Sequence, residues 1–202
     1  DFGGGISVEN DYDSRFVNLG GRFDFNQKQT TMNLGLSYTN SAIAATLDHV
    51  GMNYVVLDHY VKNINPKTHA LEGTRQDWAA SLGLTQVINK DAMADFGLSY
   101  TRSTGFLENP YKVAWVFAPS IDPYNPNQDI LGTFGDAYIE RRPDERNLFN
   151  WNARWSQYIE PLDAALHLGY SFAHDDWGIH AHTFDADWVL PLGWGWTVTP
   201  RI

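Results

Sequence analysis

Apolar and polar residues alternate with period two along most of the chain. In TMNLGLSYT, Met32, Leu34, Leu36 and Tyr38 fall on one side, and Asn33, Gly35, Ser37 and Thr39 on the other. DWAASLGLTQVI groups Trp78, Ala80, Leu82, Leu84 and Ile88, with Gln86 as the one break. The same alternation aligns Ala94, Phe96, Leu98 and Tyr100, then Phe149, Trp151, Ala153, Trp155 and Ile159. It aligns Ala164, Leu166, Leu168, Tyr170 and Phe172, and finally Phe184, Ala186, Trp188 and Leu190. Period two over so many segments predicts half-buried strands. The connections between them give eight full strands and the start of a ninth.

One face of these strands is large and aromatic; the other is small or frankly polar. A soluble sandwich turns its apolar face inward, and a transmembrane barrel turns it toward lipid. Alternation alone fits both. The connections separate them. Every second one is a tight turn, at NQKQ (26–29), NKD (89–91), EPLD (160–163) and PLGWG (191–195). The other set holds YDS near Tyr12, DDWG (175–178) and two long segments, 40–73 and 105–138. Tight turns at one end and long loops at the other is the outer-membrane barrel asymmetry. The expected fold is therefore all-β: an antiparallel up-and-down transmembrane β-barrel over residues 1–202, with tight periplasmic turns and two long extracellular loops. A soluble β-barrel that binds a hydrophobic ligand is the rival.

Register follows from matching faces, because a one-residue slip swaps them. EPLD should pair Trp155 with Leu168, Ala153 with Tyr170 and Trp151 with Phe172. NKD should pair Leu84 with Phe96 and Leu82 with Leu98. DDWG should pair Leu166 with Trp188, Leu168 with Ala186, Tyr170 with Phe184 and His174 with His180. On the polar face this sets His167 opposite Asp187 and Ser156, and Gly169 opposite Asp185 and Arg154.

Composition narrows the chemistry. With no cysteine there is no disulfide framework, thiolate nucleophile or cysteine-ligated metal. A net charge of −10 excludes nucleic acid as a partner, since phosphate binding wants a basic surface. No apolar run reaches the ~18 residues of a membrane-spanning helix. The chain opens on Asp1 just before a strand-like segment. This reads as removal of a leader or as a start partway through a larger protein.

ENPYKV (108–113), RRPDER (141–146), LDAALHLGYSF (162–172), HDDWGIHAHTF (174–184) and PLGWGW (191–196) occur in that order. Together they resemble an uncharacterised family of predicted proteobacterial outer-membrane β-barrel proteins, defined only as a domain of unknown function. The resemblance covers most of the chain and is most specific from Thr74 onward. It implies an outer-membrane location and carries no catalytic residues. Members of that family are longer, and Ile202 falls inside a strand. The chain is accordingly read as a portion of a longer barrel, incomplete at both ends.

Candidate sites follow from the register. Arg154, His167, Asp185 and Asp187 should cluster on the lumen wall. They form either an ion-selective or proton-linked site, or a brace of mutually offset charges. His174, His180 and His182 share the outward side and are the candidate metal ligands, since imidazoles suit zinc or copper. The alternative is an interfacial rim at headgroup level. Trp78, Trp151, Phe172, Trp177, Trp188, Trp194 and Trp196 make the expected aromatic girdle. Lipid hydrolysis would need a nucleophile near His182, and Ser171 faces inward. IDPYNPNQD carries Asp122, Asn125, Asn127 and Asp129, oxygen ligands that suit calcium, but it reads first as a turn-rich loop. LDHV and LDHY repeat at 47 and 57, with His49, His59 and His69 evenly spaced. FGGG reads as a strand whose glycines relieve crowding. No cofactor is expected. The expected role is non-enzymatic: an outer-membrane channel, or a structural component of an envelope complex. Its partners would be outer-membrane lipid, lipopolysaccharide and another envelope protein.

Overall fold

The computed structural model describes residues 1–46, 60–68, 70–117, 120–122, 125–130 and 135–202. His49, His59 and His69 and the LDHV/LDHY repeat lie outside them, as do residues 123–124 of the candidate calcium loop. The described chain forms thirteen strands. These are β1 (Phe2–Val8), β2 (Tyr12–Phe25), β3 (Thr30–Thr46), β4 (Ala70–Asn89) and β5 (Ala92–Gly105). Then come β6 (Val113–Phe117), β7 (Ser120–Asp122), β8 (Asn125–Ile130) and β9 (Gly135–Ile139). The last are β10 (Glu145–Ile159), β11 (Ala164–Asp175), β12 (His180–Gly193) and β13 (Trp196–Val198). Among the described residues no helix is long and apolar enough to cross a membrane.

Nine strands make one antiparallel sheet in the order β1-β2-β3-β4-β5-β10-β11-β12-β13. Each strand pairs with the next in this order, so successive connections alternate between the two ends of the sheet. Four tight turns sit at one end, the turn end. The long connections, the β1–β2 turn and the β11–β12 hairpin sit at the other, the loop end. The sheet is open, since β1 and β13 do not pair. Beyond β13 the chain still follows β12, with an Asp187–Arg201 bridge and paired Ala186 and Ile202 amides.

The registers set by the tight hairpins are as face matching requires. Trp151, Ala153 and Trp155 oppose Phe172, Tyr170 and Leu168. Leu82 and Leu84 oppose Leu98 and Phe96. Leu166, Leu168, Tyr170 and His174 oppose Trp188, Ala186, Phe184 and His180.

The long connections differ from the sequence reading. The first spans less than 40–73: β3 runs on to Thr46 and β4 begins at Ala70, paired throughout. The second, 105–138, is itself β-structured. β6 pairs with β9, and β7 pairs with β8 within that hairpin.

The faces are unequally covered, and in the inverse sense to a water-soluble sheet. Ser14, Thr31, Ser41, Ser103 and Asp175, all on the polar face, are buried. On the other face Leu34, Leu36, Leu82, Leu84, Phe96, Leu98, Trp151, Trp155, Leu168 and Phe184 are exposed, Phe184 to 73%. The most fully buried apolar cluster is small. It joins Tyr60, Leu71, Phe106 and Ile139, with Ile43, Ile64 and Val113 packed against it, at the loop end.

Candidate functional site

The polar face carries the chemistry, in three groups. Nearest the turn end, β10, β11 and β12 bring together Arg154, His167, Asp185 and Asp187. Asp187 Oδ2 lies 2.6 Å from His167 Nδ1, and its Oδ1 lies 3.4 Å from an Arg154 guanidinium nitrogen. The Asp185 carboxylate rests over Gly169, where a Cβ would come within 2.3 Å of it. A side chain at 169 would have to displace this carboxylate.

This group is the end of a longer row that sequence reasoning missed. Arg154 also opposes Asp95 across β5 and β10. Asp95 accepts a 2.6 Å hydrogen bond from Thr85. Thr85 opposes Thr31, whose hydroxyl donates to Asp24 at 2.7 Å. Asp24 in turn pairs with Arg22. The β5–β10 register could not be inferred because no short turn joins those strands.

The second group lies toward the loop end. The Arg75 guanidinium holds Asp77 through two nitrogens, at 2.9 and 3.0 Å. Ser103 donates to the same carboxylate. The Arg146 guanidinium holds the buried Asp175 at 2.6 Å. Asp175 also accepts the backbone N–H groups of Trp177 and Ile179, which fixes the β11–β12 hairpin. Next to it, the exposed Asp176 carboxylate sits below the usual range. The backbone N–H and then the side-chain amide of Asn147 both donate to it.

The third group lies at the loop end, beside the long connections. β5 ends at Gly105, whose φ of +102° turns the chain inward; a Cβ there would lie 2.2 Å from the Thr74 carbonyl oxygen. Phe106 then lies against the polar side of Gly73, where a Cβ would meet its side chain at 2.5 Å. The segment crosses the polar face to the β1–β2 turn, where the Tyr111 hydroxyl donates to Asp11. Arg142 donates to the Leu107 carbonyl at 3.4 Å, and Glu108 accepts from the Leu107 N–H at 3.0 Å. Tyr60 packs on Phe106 and donates to Glu108 and to the Glu140 carbonyl. Burial, then the Glu108 charge, push its phenol up to about 12. A cavity of about 360 Å³ beside the segment is lined by Asn63, Thr74, Glu108 and Asp144, among others.

On the opposite face the three outward histidines meet as an aromatic run. His174 and His180 stack at 4.5 Å, Phe172 lies 4.7 Å from His182, and His182 Nδ1 is hydrogen-bonded to the Tyr170 hydroxyl at 2.8 Å. Among the described residues no group of three or more His, Cys, Asp or Glu is arranged to hold a metal. Ser171 stands on the other face from His182, opposite Thr183.

Five of the seven girdle residues fall on the apolar face, and Trp194 lies in the β12–β13 turn. Trp78 stacks with Tyr38 and Trp151 lies near Tyr170 and Phe172. Trp188 lies toward the turn end, opposite Leu166. Trp194 and Trp196 are at the β12–β13 turn, exposed to 101% and 73%. Trp177 belongs elsewhere: Arg146 sits 5.0 Å from its ring centre, and its indole N–H donates to the Glu145 carbonyl. It braces the polar face's upper end because its hairpin folds toward the arginines of RRPDER.

Fold and site define an all-β protein built on one large antiparallel sheet with an aromatic face and a charged, hydrogen-bonded face. A family model described as "Protein of unknown function (DUF3570)" matches residues 1–202, and the chain belongs to this family. No curated protein matches the chain.

Proposed function

We propose that the protein is an outer-membrane β-barrel whose polar face lines a passage for small hydrophilic solutes. One observation carries this reading: large apolar side chains stand exposed on one face while Ser41, Ser14 and Ser103 are buried on the other. Even at half exposure, a Leu- or Phe-sized side chain costs on the order of 1 kcal/mol in water. Ten of them approach the net stability of a whole domain, about 5–15 kcal/mol. Lipid removes that cost, and the aromatic residues gathered toward both ends suit the headgroup layers. β2, β3, β4, β5, β10, β11 and β12 run from 12 to 20 residues, and a tilted strand crosses a bilayer in about 9–11.

The first and ninth strands of the sheet run in the same direction. All-antiparallel closure therefore takes an odd number of further strands between them, and the proposal includes such a completion. The contact with lipid is through the aromatic face, and lipopolysaccharide and envelope proteins would meet the loop end. A structural barrel is the second reading. It is favoured by the mutual pairing of Arg75 with Asp77, Arg146 with Asp175 and Arg154 with Asp187. Such pairs stiffen a wall without requiring a solute.

The test is fractionation followed by reconstitution. The proposal expects recovery in the outer-membrane fraction, heat-modifiable migration on gels, and swelling of liposomes in small sugars. Membrane recovery without permeability would leave the structural reading. Extraction into buffer without detergent would remove both.

A further inference from the structure

We propose that residues 106–111 form a constriction strap that sets the width of the passage, an inference that rests on the channel reading above. The strap is anchored at both ends. At its root Gly105 can only turn inward, the Gly105 N–H donates to the Asp144 carbonyl, and the Phe106 N–H donates to the Thr74 carbonyl, each at 2.8 Å. Phe106 and Leu107 are buried there, and Phe106 shares the cluster of Tyr60, Leu71 and Ile139. At its tip Tyr111 reaches Asp11 at the β1–β2 turn, a hundred residues away in sequence. Between these points it crosses the polar side of β4 and β3, from the Phe106 contact with Gly73 to the Tyr111 contact with Asp11.

A strap fixed at both ends and lying on the polar face takes up part of the lumen cross-section. Solutes pass beside it at the loop end. Further along β3, β4 and β5 the polar face is uncovered and made of small residues: Gly35, Ser37, Ala79, Ser81 and Ser99 line a concavity of about 520 Å³, so the narrowing is confined to the level of the strap. The root is apolar and buried, while at the tip the exposed Tyr111 is tied to the β1–β2 turn through its hydroxyl, so the tip is the place where substitution can change the width.

The absence of native cysteine makes the test clean. In the full protein purified from membranes, Asp11→Cys with Tyr111→Cys is treated with a short bifunctional thiol reagent. Efficient linkage is expected, whether or not the protein conducts. Linkage no greater than for a control pair, Asp176→Cys with Tyr111→Cys, would overturn the placement. Liposome swelling is then followed with arabinose, sucrose, raffinose and stachyose. Tyr111→Phe should raise the rate for raffinose relative to arabinose by about twofold or more, as expected for a relaxed constriction. The cross-linked pair should exclude raffinose and regain wild-type rates when a cleavable linker is cut. Size profiles unchanged in Tyr111→Phe and in the linked protein would overturn the strap while leaving the channel. Absence of swelling in every variant, with linkage intact, would overturn the channel reading and the width role together.

Discussion

Asp187 is the carboxylate through which the lower polar group is organised: His167 and Arg154 both bind it, from neighbouring strands. Its substitution separates two roles. Asp187→Asn keeps the shape and removes the charge, so we expect a small lowering of the denaturation midpoint as the bonds to His167 and Arg154 weaken. Arg154 is half exposed, which limits the ion-pair share. If the group lines the passage, cation preference in planar bilayers also falls; an unaltered reversal potential would leave only the brace. Tyr60 gives a pH-dependent counterpart. Its folded phenol titrates at about 12, against about 10 in an unfolded chain. A raised pKa means that the neutral form is favoured by folding. Its contribution is thus complete below pH 10 and fades as pH rises through 12. Thermal stability should fall more steeply between pH 10 and 12 in wild type than in Tyr60→Phe, and parallel profiles would contradict this. At this scale legibility depended on turns. His167 and Asp187 were readable together because the four-residue DDWG hairpin fixes β11 on β12. Asp95, which opposes Arg154 in the row, was hidden because its strand meets β10 only after a long connection.

The two long connections are the elements whose form was least legible. Their apolar residues, Tyr60, Ile64, Phe106 and Ile139, come from separated segments and meet only in three dimensions. No periodicity announces such a cluster, and NSAIAAT (40–46) was extended into β3 by pairing with β4 rather than by its own pattern. Gly105 tests how far the loop end depends on a single backbone angle. Both Gly105 and Gly178 have positive φ, but a Cβ on Gly178 meets nothing within 4 Å. Gly178→Ala should therefore cost about 1 kcal/mol, the backbone share alone. Gly105→Ala should add a collision with the Thr74 backbone and cost about 2–3 kcal/mol, the upper part of the range for strained backbone positions. Denaturant midpoints of the two variants in detergent check the difference, and equal losses would contradict the account of the loop end.

For the molecule as a whole, the alternating pattern made the nine-stranded sheet, its face assignment and its hairpin registers readable. Each follows from a period of two and from turns too short to allow slippage. Closure was not readable, because it depends on what lies against β1 and β13. The central claim is that the aromatic face meets lipid. It predicts that Leu98→Arg impairs insertion, by about 2–4 kcal/mol at mid-membrane depth, while Ser99→Arg next to it is tolerated; matched insertion yields in vesicles would contradict it. The most direct measurement uses the cysteine-free background. Single cysteines at 81, 82, 83 and 84 and at 96, 97, 98 and 99 carry a fluorophore in the reconstituted protein, and quenchers are supplied on lipid tails. The account predicts strong quenching at 82, 84, 96 and 98 and weak quenching at 81, 83, 97 and 99. Uniform quenching, or the opposite alternation, would contradict it.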